Sequence, residues 1–175
     1  MQGEQVLEAM ADFLIDGPYK IPFERRRGGR VLLHKEFWKQ SDDLEDLGSE
    51  RGCYVFAVRA GRGARPIYVG KATKSFKQEC LNPANKHKFA DGLADYQKGT
   101  PVLYFVRHPP QRGKTNAKQI AEIENFLIQN ALRRNADLQN IRGRQAPKWA
   151  IHGVIRGGQG KPTRAESEFR RLMGL

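Results

Sequence analysis

Two tyrosines that lie close to glycines in a strongly basic chain have the types and spacing most suggestive of chemistry. Tyr54 ends the tripeptide Gly52–Tyr54, and Tyr68 begins the tripeptide Tyr68–Gly70. A phenol hydroxyl can hold a water or a reacting group, and a neighbouring glycine allows close backbone approach. A single tyrosine in a strand more often packs, with its hydroxyl hydrogen-bonded. Function therefore depends on whether the fold brings the two tyrosines together.

A predicted β-hairpin carries both tyrosines. Its arms, Cys53–Val58 and Pro66–Gly70, are rich in aromatic and β-branched residues, and the Gly/Arg-rich segment Arg59–Arg65 separates them. The segment Val102–Val106 predicts a third strand. Such a hairpin would bring the two tyrosines near each other.

Apolar residues at helical spacing and capping residues predict the helices. A short acidic turn through Leu47 follows a possible capping serine at Ser41, and Thr163 to Glu166 has the pattern of a capping box. The predicted helices are Glu4 to Ile15, Asn82 to about Lys98, Ala117 to about Arg134, and Thr163 to Leu172. Trp149–Ile155 is a short apolar run between the last two.

One carboxylate lies at the border of the apolar stripe on the longest predicted helix. Glu124 comes four residues after Ile120 and three before Leu127, both of which belong to the stripe. This spacing directs the carboxylate towards the domain body, where an unpaired charge is costly. Either Glu124 pairs with one of the many lysines and arginines, or it is a metal-binding or catalytic carboxylate.

The charge balance favours a polyanionic partner. Lys and Arg number 31 against 19 Asp and Glu, a formal net charge of +12, which makes nucleic acid the leading expectation. Solubility, an acidic protein or a membrane surface would also account for the excess. The cluster Arg25, Arg26 and Arg27 is either a phosphate-contacting loop or a solvated tip.

The remaining composition predicts a folded, soluble, cytoplasmic protein. No apolar run approaches the ~20 residues that span a bilayer, and the first residues lack the pattern of a secretory signal. Cys53 and Cys80 lie in unrelated contexts and are expected to be ordinary buried thiols.

Taken together, Gly52–Tyr54, Tyr68–Ala72 and Glu124–Ile128 with a later Asn140 resemble the GIY-YIG endonuclease superfamily. The resemblance covers about residues 52–140. It implies an α/β (α+β) module, a three-stranded antiparallel sheet flanked by helices, that hydrolyses DNA phosphodiesters with one divalent metal, Mg²⁺ or Mn²⁺. Residues 51–142 would be the nuclease core, 1–50 an N-terminal helix and basic extension packed on it, and 143–175 a strand-like segment and helix.

The resemblance also implies roles for single residues. Tyr54 and Tyr68 take the positions of the family's two tyrosines, one of which helps to activate or position the attacking water. Glu124 takes the metal-ligand position, and Gly70 allows close backbone approach. Asn140 corresponds to a late asparagine near the active site, with Asn135 as the alternative.

The family usually has an arginine on the helix after the second tripeptide, and this chain has lysine or glutamine there. The candidates for that cationic role are Lys71, Lys77, Lys86 and Lys88, and His87 is the candidate for a histidine found in some members. Three functions stay open: a metal-dependent endonuclease, a catalytically impaired nucleic-acid-binding module, and a structural or protein-interaction domain.

Overall fold

The structure, a computed structural model, describes residues 12–61, 63–96, 98–109, 115–140, 151–152, 156–157 and 160–172. The chain divides into two units, Met1–Ile141 and Arg142–Leu175. Its strands are β1 (Leu14–Lys20), β2 (Phe23–Arg26), β3 (Gly29–Leu32), β4 (Gly52–Ala60), β5 (Gly63–Ala72), β6 (Thr100–Arg107), β7 (Ile151–His152) and β8 (Arg156–Gly157). Its helices are α1 (His34–Trp38), α2 (Asp42–Leu47), α3 (Phe76–Glu79), α4 (Pro83–Ala94), α5 (Ala117–Arg134) and α6 (Arg164–Leu172).

The first unit is a mixed α/β fold built on a four-stranded antiparallel sheet in the order β1-β6-β4-β5. The predicted hairpin is confirmed as β4 and β5, and the predicted third strand is confirmed as β6. Across the hairpin, Tyr54 pairs with Gly70 and Phe56 pairs with Tyr68. Because directly paired residues share a face of the sheet, both tyrosines lie on the same face of its β5 edge.

The expectation of a three-stranded sheet was wrong, because β1 adds a fourth strand on β6. Leu14 and Ile15 belong to this strand and are exposed, so the predicted first helix does not reach Ile15, while residues 4–11 lie outside the described part. Gly17, with φ +117°, passes so close to β6 that a Cβ would lie 2.7 Å from the carbonyl oxygen of Leu103. At Leu14 and Ile15, backbone pairing with β6 therefore outweighs the helical pattern of apolar residues.

The other predicted helices of the first unit are largely confirmed. Ser41 caps α2 with its hydroxyl, Asn82 caps α4, and Asn116 caps α5. The expected extension of α4 to about Lys98 was wrong, because the helix ends at Ala94. Beyond that end, the guanidinium of Arg30 donates hydrogen bonds to the backbone carbonyls of Tyr96 and Gly99.

Helices cover both faces of the sheet. The face that carries the tyrosines packs against α1 to α4, and Phe89 of α4 stacks on Phe56 with ring centroids 4.0 Å apart. On the other face, Ile128 of α5 packs against Val69. Cys53 and Cys80 are free and buried, as expected.

The second unit contains the parallel pair β7 and β8 and helix α6. The capping box that opens α6 is confirmed, because Thr163 Oγ1 accepts from the backbone N–H of Glu166 at 3.2 Å. Of the apolar run Trp149–Ile155, only Ile151 and His152 are described, and they form β7. Among the described helices of the whole chain, none is long and apolar enough to cross a membrane.

Candidate active site

Tyr54 is a buried residue that is fixed by a hydrogen bond. It is 2% exposed, and its hydroxyl accepts a hydrogen bond of 2.7 Å from Asn85 Nδ2 of α4. Burial, followed by the nearby groups of Cys80 and Tyr68, raises the pKa of the hydroxyl above its ordinary value. Tyr54 therefore stays protonated and belongs to the packed wall of the site.

Gly70 makes room for the Tyr54 ring. A Cβ at this position would lie 2.7 Å from Tyr54 Cε2 and closer still to Cζ and the hydroxyl oxygen. Real Cβ contacts are not this short, so only glycine fits opposite Tyr54 without a shift of the ring. The glycine is required by packing between neighbouring strands.

Tyr68 is the more accessible tyrosine. Its ring is only partly buried, lies 6.3 Å from the Tyr54 ring between centroids, and has Lys88 Nζ 5.0 Å above its own centroid. Burial, and then the negative charge of Glu124, raises the pKa of the Tyr68 hydroxyl. The hydroxyl can therefore donate a hydrogen bond to an anionic substrate at neutral pH.

Lys71 and Glu124 form an ion pair at the same end of β5. Lys71 Nζ lies 2.8 Å from Glu124 Oε2, and the glutamate side chain is 17% exposed against 41% for the lysine. Lys71 pairs with Cys53 in the sheet, and this places it on the face that α5 covers. Among the described residues, Lys71 is the one hydrogen-bonding partner of the Glu124 carboxylate.

The candidate site therefore spans both faces of the edge strand β5. The tyrosines lie on the α4 side, and the ion pair lies on the α5 side. Gly70, which pairs with Tyr54, directly precedes Lys71 in β5. After burial, the negative charge of Glu124 is among the causes that raise the hydroxyl pKa of both tyrosines. The fold thus brings together Tyr54, Tyr68, Gly70, Lys71 and Glu124.

Asn140 is close to this group but is occupied by the backbone. Its Oδ1 accepts from Val69 N at 2.9 Å, and its Nδ2 donates to Val69 O at 2.6 Å. The residue is 4% exposed. Its side-chain amide pairs with the backbone of the edge strand as a neighbouring strand would. Asn135, the alternative, similarly donates to Pro66 O at 2.7 Å.

The other predicted cations have other partners. Lys77 lies 3.4 Å from Glu45 of α2, and the exposed His87 lies 3.5 Å from Asp91. Lys86 Nζ lies 3.1 Å from His34 Nδ1, and burial followed by the charge of Lys86 lowers the pKa of that histidine. Of the predicted lysines, Lys71 and Lys88 are the two that contact the tyrosine and glutamate group.

Arg25, Arg26 and Arg27 lie on the hairpin formed by β2 and β3. Arg25 and Arg26 end β2, Arg27 begins the turn, and all three are exposed. The predicted cationic turn is therefore the tip of a separate two-stranded sheet, beside α4.

Asn85 contacts the candidate site, but the sequence patterns did not predict it as a site residue. It is 7% exposed and holds Tyr54, while Nδ2 also donates to the carbonyl oxygen of Glu79 at 2.8 Å. A signal was present, since Asn85 lies four residues before Phe89 and therefore on the buried stripe of α4. A polar residue on a buried stripe is informative because it must find a partner.

Glu124 is the carboxylate of the site that could serve as a metal ligand. No cluster of three or more His, Cys, Asp or Glu side chains suited to a metal ion occurs within the described ranges. Glu124 is a single, partly accessible carboxylate. Mg²⁺ keeps several waters and is commonly bound through one or two carboxylates together with substrate phosphates.

Comparisons with protein-family models, with curated proteins and with solved structures found no match to this chain.

Proposed function

We propose that this chain is a metal-dependent endonuclease that hydrolyses DNA phosphodiester bonds, as its resemblance to the GIY-YIG superfamily implies. The observation that carries the proposal is the ion pair of Lys71 and Glu124, because Lys71 lies on the same edge strand as Tyr68 and the charge of Glu124 contributes to the raised pKa of the Tyr68 hydroxyl. A carboxylate, a cation and a phenol hydroxyl supply a metal ligand, charge stabilisation and a hydrogen-bond donor. The net charge of +12 supports DNA as substrate.

In the proposed reaction, a water oxygen bonds to phosphorus as the bond from phosphorus to the 3′ oxygen breaks, and the electron pair of that bond leaves with the 3′ oxygen. The attacking water releases one proton to the solvent, and the 3′ oxygen takes up one proton from the solvent. Tyr68 touches the reacting groups and orients the water or a phosphate oxygen through its hydroxyl. Its raised pKa keeps the proton in place at neutral pH, so it acts as a donor. Tyr54 acts through packing, because it is buried and its hydroxyl accepts from Asn85.

Lys71 stabilises the negative charge that develops on the phosphate. Its side chain is 41% exposed, so the ammonium can turn from Glu124 towards a bound phosphate. Lys88, above the Tyr68 ring, adds a second positive charge on the α4 side. Glu124, once released from Lys71, would be the protein ligand of Mg²⁺ or Mn²⁺. The ion would polarise the phosphate and stabilise the leaving oxygen when bound.

The same ion pair also favours a second candidate, a GIY-YIG-like module that binds nucleic acid without cleaving it. Glu124 Oε2 is already engaged by Lys71 at 2.8 Å, and a metal would have to compete with that lysine. Such a module would keep the basic surface and lose hydrolysis. For either candidate we expect a reducing, cytoplasmic setting, in which Cys53 and Cys80 stay free.

A plasmid assay tests the proposal. Supercoiled plasmid is incubated with the protein in Mg²⁺, in Mn²⁺ or in chelator, and nicked and linear forms are followed over time. We expect cleavage only with metal, and a loss of about a hundredfold or more for Tyr68→Phe. Tyr104→Phe is the matched control, because Tyr104 lies in β6 opposite Val55, on the other face of the sheet.

Two results would contradict the proposal. Cleavage that continues in chelator would contradict the metal dependence, and equal cleavage by the two tyrosine variants would contradict the role of Tyr68. Binding of plasmid by the wild-type protein without cleavage in either metal would favour the binding module.

A further inference from the structure

A cavity lined by arginines lies between the β2–β3 hairpin and helix α4. Its volume is about 640 Å³, and four arginines of the hairpin line one side while α4 residues line the other. The lining carries a single carboxylate, Asp91. The surface therefore has a strong positive charge and enough space for a charged ligand.

Arg30 holds the hairpin against the end of α4. Its side chain is almost fully buried, stacks over the Phe23 ring at 5.4 Å, and donates to the carbonyls of Tyr96 and Gly99. These contacts join the hairpin to the segment that follows α4. One wall of the cavity is therefore tied by partly buried hydrogen bonds to the segment that follows α4.

The remaining arginines are arranged for an anion. Arg25 lies directly opposite Arg30 across the hairpin, and like charges in such a pair are destabilising. Arg26 is paired with Glu24 at 2.8 Å, whereas Arg25 and Arg27 have no hydrogen-bond or ion-pair partner in the described part of the chain. An anion in the cavity would relieve the repulsion and engage both free guanidinium groups.

Helix α4 connects this cavity to the candidate active site. Asn85 and Lys88 contact the two tyrosines, while Ala90 and Ala94, further along the same helix, line the cavity. The six positions from Lys88 to Ala94 correspond to about 9 Å along the helix axis. The same helix therefore contributes residues to both sites.

We propose that the cavity between the β2–β3 hairpin and α4 binds the sugar-phosphate backbone of the DNA strand whose scissile phosphate lies at Tyr68. This inference rests on the proposed function for the position of the cut. The expected ligand is a run of phosphodiester anions in one continuous DNA strand. Guanidinium groups suit it because they contact phosphate oxygens in pairs.

Salt-dependent DNA binding tests the proposal without relying on hydrolysis. Binding of a short fluorescein-labelled duplex is measured by anisotropy in chelator over a series of salt concentrations. Arg25→Ala/Arg27→Ala is expected to lower the slope of log affinity against log salt by about 2, since each phosphate contact contributes about 0.9. The control is Arg133→Ala/Arg134→Ala, which removes the same charge from the exposed end of α5 and is expected to leave the slope unchanged.

A second variant is expected to strengthen DNA binding, an effect that loss of folding could not produce. Asp91→Asn removes the one carboxylate that lines the cavity, and it should tighten duplex binding about two- to fivefold. A weaker or unchanged affinity for this variant would overturn the proposal.

Other outcomes separate this proposal from its rivals. Equal slope losses for the two double-arginine variants would mean that net charge alone attracts DNA, and would overturn it. Arginine-dependent binding to phosphatidylserine vesicles, without such binding to the duplex, would assign the cavity to a membrane surface instead. Duplex binding that depends on Arg25 and Arg27 in a protein that never cleaves would uphold the cavity and reject the proposed nuclease activity.

Discussion

Replacing Gly70 with alanine is expected to destabilise the fold and to reduce hydrolysis at the same time. The added methyl group would overlap the Tyr54 ring, with 2.7 Å to Cε2 and shorter distances to Cζ and the hydroxyl. Tyr54 is 2% exposed and tied to Asn85, so the ring has no free space to occupy. The Tyr54 ring or the β5 backbone must move by roughly 1 Å before the added methyl group and the ring are at an ordinary contact distance.

Two terms set the expected magnitude. Overpacking of a dense core costs about 1–3 kcal/mol. Loss of the hydrogen bond from Asn85 to Tyr54 adds about 1 kcal/mol. The free energy of unfolding should therefore fall by about 2–4 kcal/mol. Because Tyr54 packs near Tyr68, a displacement of about 1 Å at the site should lower cleavage by up to about a hundredfold.

The assay is urea unfolding followed by circular dichroism, combined with cleavage rates measured on the folded variants. Gly63→Ala is the matched control, since Gly63 lies in the same strand and a Cβ there would meet nothing within 4 Å. We expect that control to be neutral or stabilising by up to about 1 kcal/mol. Combining Gly70→Ala with Tyr54→Leu should recover about 1–3 kcal/mol relative to the sum of the single changes.

Equal stabilities for Gly70→Ala and Gly63→Ala would refute the predicted overlap, because they would show that the Tyr54 ring does not occupy the space beside Gly70. Strict additivity in the double variant would refute it independently.

Three further predictions concern single side chains. Asn85→Ala should lower the free energy of unfolding by about 1–3 kcal/mol in urea, because the change removes the donor to the buried Tyr54 hydroxyl and one of the two side-chain donors to the Glu79 carbonyl. Burial raises the pKa of Cys53 from 9.0 to about 12, so the folded state keeps a proton that the unfolded state loses. The free energy of unfolding therefore falls by about 1.4 kcal/mol per pH unit as the pH rises from 9.0 to about 12. Cys53→Ala should remove this contribution to the pH dependence of stability, which is measured by alkaline denaturation. Lys71→Met should reduce metal-dependent cleavage by about a hundredfold or more, whereas Lys77→Met should cleave like the wild-type protein because it pairs with Glu45; similar rates for the two variants would contradict the choice of Lys71.

Local signals predicted the elements that carry the site. The hairpin arms, the caps at Ser41 and Asn82, and the long helix α5 all follow from short-range patterns that the structure confirms. The strand β1 was not predictable in this way, because its partner β6 lies far along the chain and its apolar residues Leu14 and Ile15 are exposed. Long-range backbone pairing leaves no periodic signal in a strand such as β1, whose apolar residues do not alternate with buried positions.

The sequence likewise predicted some residues of the candidate site but not how they pair. Residue types and spacing identified Tyr54, Tyr68 and Glu124, and they left open whether Glu124 pairs with a cation. The structure supplies that partner as Lys71, which is 53 positions away in the sequence. It also separates the two tyrosines into a buried residue and an accessible one, a distinction that depends on Asn85 and on the packing of α4.

We propose that the Glu124 carboxylate supports metal-dependent hydrolysis of DNA. Its most direct test is the single-turnover cleavage rate of a DNA duplex in Mg²⁺ for Glu124→Gln and for Glu122→Gln, a matched change at an exposed position on the same helix. We predict a loss of about a hundredfold or more for Glu124→Gln and a rate close to wild type for Glu122→Gln. Equal rates for the two variants, or cleavage by Glu124→Gln at the wild-type rate, would contradict this role of Glu124.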